Sequence, residues 1–198
     1  MCEPVTITFA LLGKIGSRDA LCYIAAQFAG GLAGVLAVQV LLGSAFTLPP
    51  VVYVVTIPGD GGAALAFGME LLISFVMMMA TLTMSNQAKL MRYTGLCCGV
   101  LIMLFVTFEA PFSGMSMNPA RTFASAALSG IWFGIWVYFT APLAGMLLAA
   151  LAFRAIHGAT VQCAKLNHDT GVDCHFHCGF RAQGIHAPDL IHPHQHFT

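Results

Sequence analysis

Long apolar runs separated by short polar stretches organise this chain. Four of them, residues 20–42, 63–84, 94–112 and 131–153, hold at most one charged residue each. Each is near the ~20 residues a helix needs to cross the hydrocarbon core of a bilayer. They predict four transmembrane spans. Between the first two lies GSAFTLPPVVYVVTIPGDGG, where Pro49, Pro50, Pro58 and several glycines predict a loop. SNQAKLMRY joins the second and third. Two shorter stretches, VTITFALLG and RTFASAALSG, precede the first and fourth spans and are too short to cross. After about residue 154 the chain turns polar and rich in His and Cys.

Ser116–Phe123, SMNPARTF, sets an asparagine, a proline and an arginine in this apolar background. Asn118 suits an N-cap and Pro119 the first helical turn, so a short helix over 119–129 is predicted, ending near Gly130. A half-crossing helix finds no hydrogen-bond partners in lipid for its first N–H groups. The economical arrangement starts it at a water-filled cavity, with its positive dipole end and Arg121 facing whatever passes.

Composition agrees. The 198 residues are 58% hydrophobic and 8% charged, against about 25% charged in soluble domains. An integral membrane protein is expected. The net charge of zero offers nothing for nucleic acid. Met1-Cys2-Glu3-Pro4 lacks the basic start and apolar run of a signal peptide. Cys22, Cys97 and Cys98 fall in apolar segments as small packing residues rather than parts of a disulfide framework. There is no phosphate-binding glycine loop and no Ser/His/Asp set, since every histidine lies at 157 or later. Enzymatic activity is not expected.

Lys14, Arg18, Lys89, Arg92, Arg154, Lys165 and Arg181 all fall on one side of four alternating spans. The positive-inside rule makes that side, with the tail, cytoplasmic, and a plasma (inner) membrane location fits. Arg121 is the remaining basic residue and is not needed for orientation. Ala26, Gly30 and Gly34, and likewise Ala141, Gly145 and Ala149, form small-residue stripes that let helices approach closely. YIAAQFAGGLAGVLA (23–37) aligns without gaps to YFTAPLAGMLLAALA (138–152). Each follows a short amphipathic stretch, and the two units run in opposite directions, so the repeat is inverted. Two spans precede the second unit and none precedes the first; the chain is expected to begin where two spans should already have passed.

GMSMNPARTFASA, the preceding FEAP, the inverted repeat and the span order resemble the aquaporin and glycerol-channel family, the major intrinsic proteins, over residues 4 to about 156. The resemblance implies an all-α membrane bundle lacking its first two spans: four transmembrane helices plus two re-entrant half-helices, 4–13 and 119–129, in a domain over 1–156. It implies a passive channel for water or small neutral solutes such as glycerol, without cofactor, in a lipid bilayer and as a homo-tetramer. Asn118 would donate its amide to a passing oxygen, and Pro119 and Ala120 would set the helix start. Arg121, Val106 and Met115 would line the constriction, and Glu70 would accept hydrogen bonds from the half-helix loops. Val106, in place of a polar donor, implies a wider and less polar filter. The other Asn-Pro-Ala box is degenerate, reading Cys2-Glu3-Pro4, so its asparagine is absent; and without its first two spans the barrel would be open along one side, so one copy is not expected to seal a pore.

Other residues leave alternatives. Glu109 either lines the outer vestibule or reaches the interface. Met77, Met78 and Met79 cover all sides of a helix, which suits packing and lipid contact. In the tail (157–198), Cys163, His168, Cys174 and Cys178, with His175 and His177 nearby, are the ligand types of zinc at non-standard spacing. A non-conducting membrane protein whose tail binds zinc or a partner is the alternative function. Residues 184–198 read as disordered.

Overall fold

The computed structural model describes residues 2–87, 89–157, 163–165 and 174–179. Among them the fold is all-helical: α1 (Glu3–Leu11), α2 (Ser17–Leu42), α3 (Ser44–Thr47), α4 (Gly62–Ser85), α5 (Thr94–Phe108), α6 (Ala110–Ser113), α7 (Pro119–Ser129) and α8 (Ile135–His157). Single tight turns lie at Val52–Val54 and Met91–Tyr93. Four stretches are long and apolar enough to cross a membrane: Ser17–Leu42, Gly62–Ser85, Met91–Phe108 and Ile135–His157.

Two boundaries differ from the hydropathy reading, each for a backbone reason. The third span stops at Phe108 rather than 112. Pro111 has no N–H to continue the ladder, so the chain breaks at Glu109 and makes one separate turn, α6. The fourth starts at Ile135 rather than 131, because Gly130 (φ 74°) and Gly134 (φ 69°) hold left-handed conformations that end α7 and shape the link.

The centre of the bundle is the α4–α8 pair. Ala66 packs on Val137, Tyr138 and Ala141, and Met78 and Leu82 pack on Met146, Ala149 and Phe153. A methyl group added to Gly145 would stand 2.3 Å from the Leu71 carbonyl oxygen, so the Ala141–Gly145–Ala149 stripe brings two backbones into contact. The matching stripe on α2 does not behave as expected. Ala26, Gly30 and Gly34 are exposed, and a methyl on Gly30 or Gly34 would meet nothing within 4 Å. Instead α2 packs through its other side against α7. A methyl on Gly31 would lie 3.2 Å from the Ala120 carbonyl oxygen, and Phe28 meets Phe123 edge-on at 5.4 Å. Ala20 is the one buried residue of α2.

The seven cysteines are free. Cys22 is exposed rather than a packing residue, and Cys97 and Cys98 are half-buried. Of the three methionines in a row, Met77 and Met78 are buried and Met79 is half-buried.

Candidate functional site

The site is built around the start of α7. Asn118 has the extended backbone of a cap (φ −143°, ψ 98°), and its Oδ1 accepts the Arg121 N–H at 3.1 Å. Pro119 has no N–H to satisfy. The Ala120 N–H donates to Glu3 Oε2 at 3.3 Å, and the Thr122 N–H to the Asn118 carbonyl at 3.1 Å. The first turn of α7 is therefore saturated, and no bare amide tip faces the cavity as the sequence suggested. What Asn118 has left to offer is its side-chain NH2, since its carbonyl oxygen is committed to the cap.

The loop before Asn118 is held in an unusual shape. Gly114 (φ 80°), Met115 (φ 44°) and Met117 (φ 48°) all take positive φ, a costly choice for the two methionines. Glu70, fully buried in the middle of α4, offsets that cost. Its Oε1 accepts from Ser113 Oγ at 3.0 Å and from the Ser116 N–H at 2.6 Å, while its Oε2 accepts from the Met117 N–H at 2.8 Å. Tyr138, buried in α8, donates to the Ser113 carbonyl at 2.6 Å. Ser116 Oγ shares a 2.6 Å hydrogen bond with Thr122 Oγ1, tying loop to helix.

Arg121 reaches back over this loop. Its Nη1 donates to Thr56 Oγ1 at 2.6 Å and lies 3.4 Å from the Met115 carbonyl. Among the described residues it forms no direct ion pair, and its charge lies in the field of the buried Glu70 carboxylate. Thr56 belongs to the Pro/Gly loop, which lies against the 111–114 turn. Gly59 donates to the Phe112 carbonyl at 3.0 Å, and a methyl on Gly59 would stand 2.2 Å from the Pro111 oxygen. Nothing in the sequence pattern of that loop singles out Thr56.

These groups border a cavity of about 690 Å³. Asn118, Arg121 and Met115 line it with Val106 and Ile102 of α5, Met77 of α4, and Cys2 and Val5 of α1. Its wall is mainly apolar, with donors at Asn118 and Arg121. Val106 is 53% exposed, so its side chain is not locked into the core.

Cys2-Glu3-Pro4 sits opposite. Cys2 has the extended backbone of a cap (φ −87°, ψ 167°), but its side chain makes no capping bond, and Pro4 occupies the first turn of α1. Glu3 is 3% exposed, with its carboxylate aimed at the first turn of α7. In the sequence this position shows only a lost asparagine; the bond between the two short helices joins residues 117 apart and leaves no local signal. A carboxylate beside helix N-termini is favourably placed in the field of both. Glu109 neither lines an open vestibule nor reaches an interface. It is 3% exposed, and neither carboxylate oxygen has a hydrogen-bond partner among the described residues.

The tail residues lie apart. Sγ of Cys163, Cys174 and Cys178 come within 4.8 Å of one another. Burial, foremost, holds the Cys163 thiol well above the ordinary thiol range. His168 lies outside the described residues, as do residues 184–198. His177 is turned to the α1–α2 link, its ring Nδ1 2.9 Å from the Gly13 carbonyl.

Comparison with known proteins follows the same outline. The family model for the major intrinsic proteins matches residues 3–153. Aquaporin NIP1-3 of Oryza sativa subsp. japonica is 35% identical over 153 residues, 77% of this chain and 52% of the rice protein. Aquaporin NIP4-1 of the same organism is 36% identical over 159 residues, 77% of this chain and 53% of that protein. The chain thus spans about half the length of the curated relatives it matches. Among solved structures, the aquaglyceroporin from Plasmodium falciparum superposes with a TM-score of 0.67 at 20% identity, covering 77% of this chain and 70% of that one. The saturated asparagine-capped helix, the carboxylate-braced loop, the four apolar helices and a family match over 3–153 converge: this chain is a multi-pass integral membrane protein and belongs to the major intrinsic protein family.

Proposed function

We propose that the chain forms the greater part of a passive pathway for water and small neutral solutes such as glycerol. The cavity carries this reading, because a mainly apolar wall holds two donor groups, Asn118 and Arg121. Such a wall binds a hydroxyl briefly and releases it, and the guanidinium repels cations. Val106 is a small apolar side chain without a donor, which leaves the passage wider and less polar and favours solutes larger than water. At about 1.5 Å per residue, α1 and α7 are about 14 and 17 Å long, near half the ~30 Å hydrocarbon core. The Glu3–Ala120 bond joins their first turns. Both observations support their entering from opposite faces and meeting midway. The basic residues favour a cytoplasmic tail and insertion in the plasma membrane, and the family resemblance favours a tetramer.

Sealing the pathway calls for further helices. The inverted repeat supports this: Gly145 packs on Leu71 of α4, and its repeat-mate Gly30 faces nothing within 4 Å. α5 is exposed along most of its length. The test is stopped-flow shrinkage and glycerol reswelling of proteoliposomes. One preparation holds this chain; the other holds it fused behind two apolar spans from the part of the rice relative it does not cover. The fused protein is expected to conduct both solutes, and Val106→Trp, which lays an indole across the cavity, to abolish the flux. A folded fusion that passes neither solute, or is indifferent to Val106→Trp, overturns the proposal.

A further inference from the structure

Three of the cysteines meet outside the lining of the cavity, and the channel reading gives them no task. Cys163, Cys174 and Cys178 bring their sulfur atoms within 4.8 Å of one another, with 3.4 Å between Cys163 and Cys174. In a tetrahedral zinc site with Zn–S near 2.3 Å, sulfur atoms stand about 3.8 Å apart. The cluster already brackets that spacing. It is also sheltered: Cys163 is 2% exposed, and Met91, from the turn between α4 and α5, packs on the group together with Phe176.

The surroundings fix the cluster in place. The His177 N–H donates to the Lys14 carbonyl at 3.1 Å, and its ring Nδ1 lies 2.9 Å from the Gly13 carbonyl. Phe176 meets the Tyr23 ring of α2 at 6.4 Å. The segment 174–179 is thus applied to the α1–α2 link on one side and the α4–α5 turn on the other. On the orientation given by the basic residues this end faces the cytoplasm, where thiols stay reduced. All three are free cysteines. Three free thiols gathered in one small sheltered cluster are a good ligand set for a thiophilic d¹⁰ ion.

We propose that Cys163, Cys174 and Cys178 ligate one zinc ion, which clamps the tail across the cytoplasmic ends of α1, α2 and α4. Binding releases the three thiol protons to solvent and leaves a fourth coordination position for another ligand. The clamp holds the tail beside the first turns that follow α1, so metal status and the arrangement of that end of the bundle are linked. This inference is independent of the conducting role, and a protein that passes no solute still tests it.

The experiment uses the full chain, purified in detergent without chelator from cells grown with added zinc. Elemental analysis should find about one zinc per chain. The count should fall at least tenfold in Cys163→Ser/Cys174→Ser/Cys178→Ser and stay unchanged in Cys22→Ser/Cys97→Ser/Cys98→Ser. A second measurement on the unmutated chain stands even if the triple variant misfolds. Alkylation by N-ethylmaleimide should reach the exposed Cys22 at once, and the three cluster cysteines at least tenfold more slowly until a chelator is added. Zinc well below stoichiometry, copper in its place, cluster thiols alkylated as fast as Cys22 before chelation, or a Cys163–Cys174 disulfide in acid-quenched cells would each overturn the proposal.

Discussion

Adding one methyl group at each of two repeat-related glycines should have opposite consequences. Gly145→Ala places a Cβ 2.3 Å from the Leu71 carbonyl oxygen and 3.1 Å from the Phe75 nitrogen, both backbone atoms of α4 that no rotamer change can move. Carbon–oxygen contacts settle at roughly 3.3 Å or more, so α8 must retreat from α4 by about 1 Å. A gap of that size forfeits a quarter to a half of the dispersion at each facing atom. Overpacking costs about 1–3 kcal/mol, and the upper end applies where backbone meets backbone, so we expect about 3 kcal/mol. Gly30→Ala meets nothing within 4 Å and gains at most the ~1 kcal/mol of helix propensity. Reversible unfolding in mixed micelles of dodecyl sulfate, followed by tryptophan emission, measures both. Trp136 stacks on Phe67 at 5.9 Å across the α4–α8 interface and should report its opening. The expected gap between the variants, about 3–4 kcal/mol, is roughly 150- to 800-fold in the unfolding constant. A Gly145→Ala protein within 0.5 kcal/mol of wild type, taking that as about the ordinary scatter of neutral substitutions, refutes the backbone-contact argument. A Gly30→Ala protein as damaged as Gly145→Ala shows that the α2 stripe is already covered.

Three further substitutions probe the site. Glu70→Gln turns one carboxylate oxygen into an NH2 that faces a backbone donor, and the loss should be about 2–3 kcal/mol; amide exchange at Ser116 and Met117 should speed at least tenfold, and unchanged exchange there would remove Glu70 as the brace of the loop. Glu3→Ala leaves the buried Ala120 N–H without its acceptor, and because that bond is long at 3.3 Å the cost should be near ~1 kcal/mol; exchange at Ala120 that stays as slow as in wild type would count against the link between the two short helices. Cys2→Asn supplies a capping side chain to a residue already in the extended capping conformation, so α1 should gain about 1 kcal/mol, read as slower exchange over residues 5–8; no slowing would mean that the first turn of α1 is held some other way.

Much of the architecture could be read from the chain because it is imposed by the solvent. A bilayer forces apolar stretches of fixed length, and Asn118-Pro119 marks a helix start by capping chemistry that works anywhere. The observed α7, Pro119–Ser129, begins and ends where cap and glycine put it. What escaped the reading depends on contacts between distant residues. Thr56 is an ordinary loop threonine until Arg121 folds onto it, 65 positions away in sequence. The break after Phe108 is marked in the sequence by Glu109 and Pro111, but apolar residues on both sides let a hydropathy window run across it. The α2 stripe shows the opposite failure: small residues at four-residue spacing tell that a helix is meant to be approached, and say nothing of which helix does so.

Glu3 carries the sharper lesson. A motif comparison scores Cys2-Glu3-Pro4 as a loss, because it counts side-chain identity at the position of an asparagine. Physical accounting counts donors and acceptors. The first N–H of α7, that of Ala120, needs an acceptor in a dry place, and a carboxylate from the first turn of α1 provides one. The substitution therefore exchanges a donor facing the cavity for an acceptor facing the opposite helix. It keeps the two short helices joined at their first turns and leaves Asn118 as the one amide side chain among the described residues that line the cavity. On the proposed function, donors then come from one side only, and a passing hydroxyl is expected to be oriented by Asn118 and Arg121.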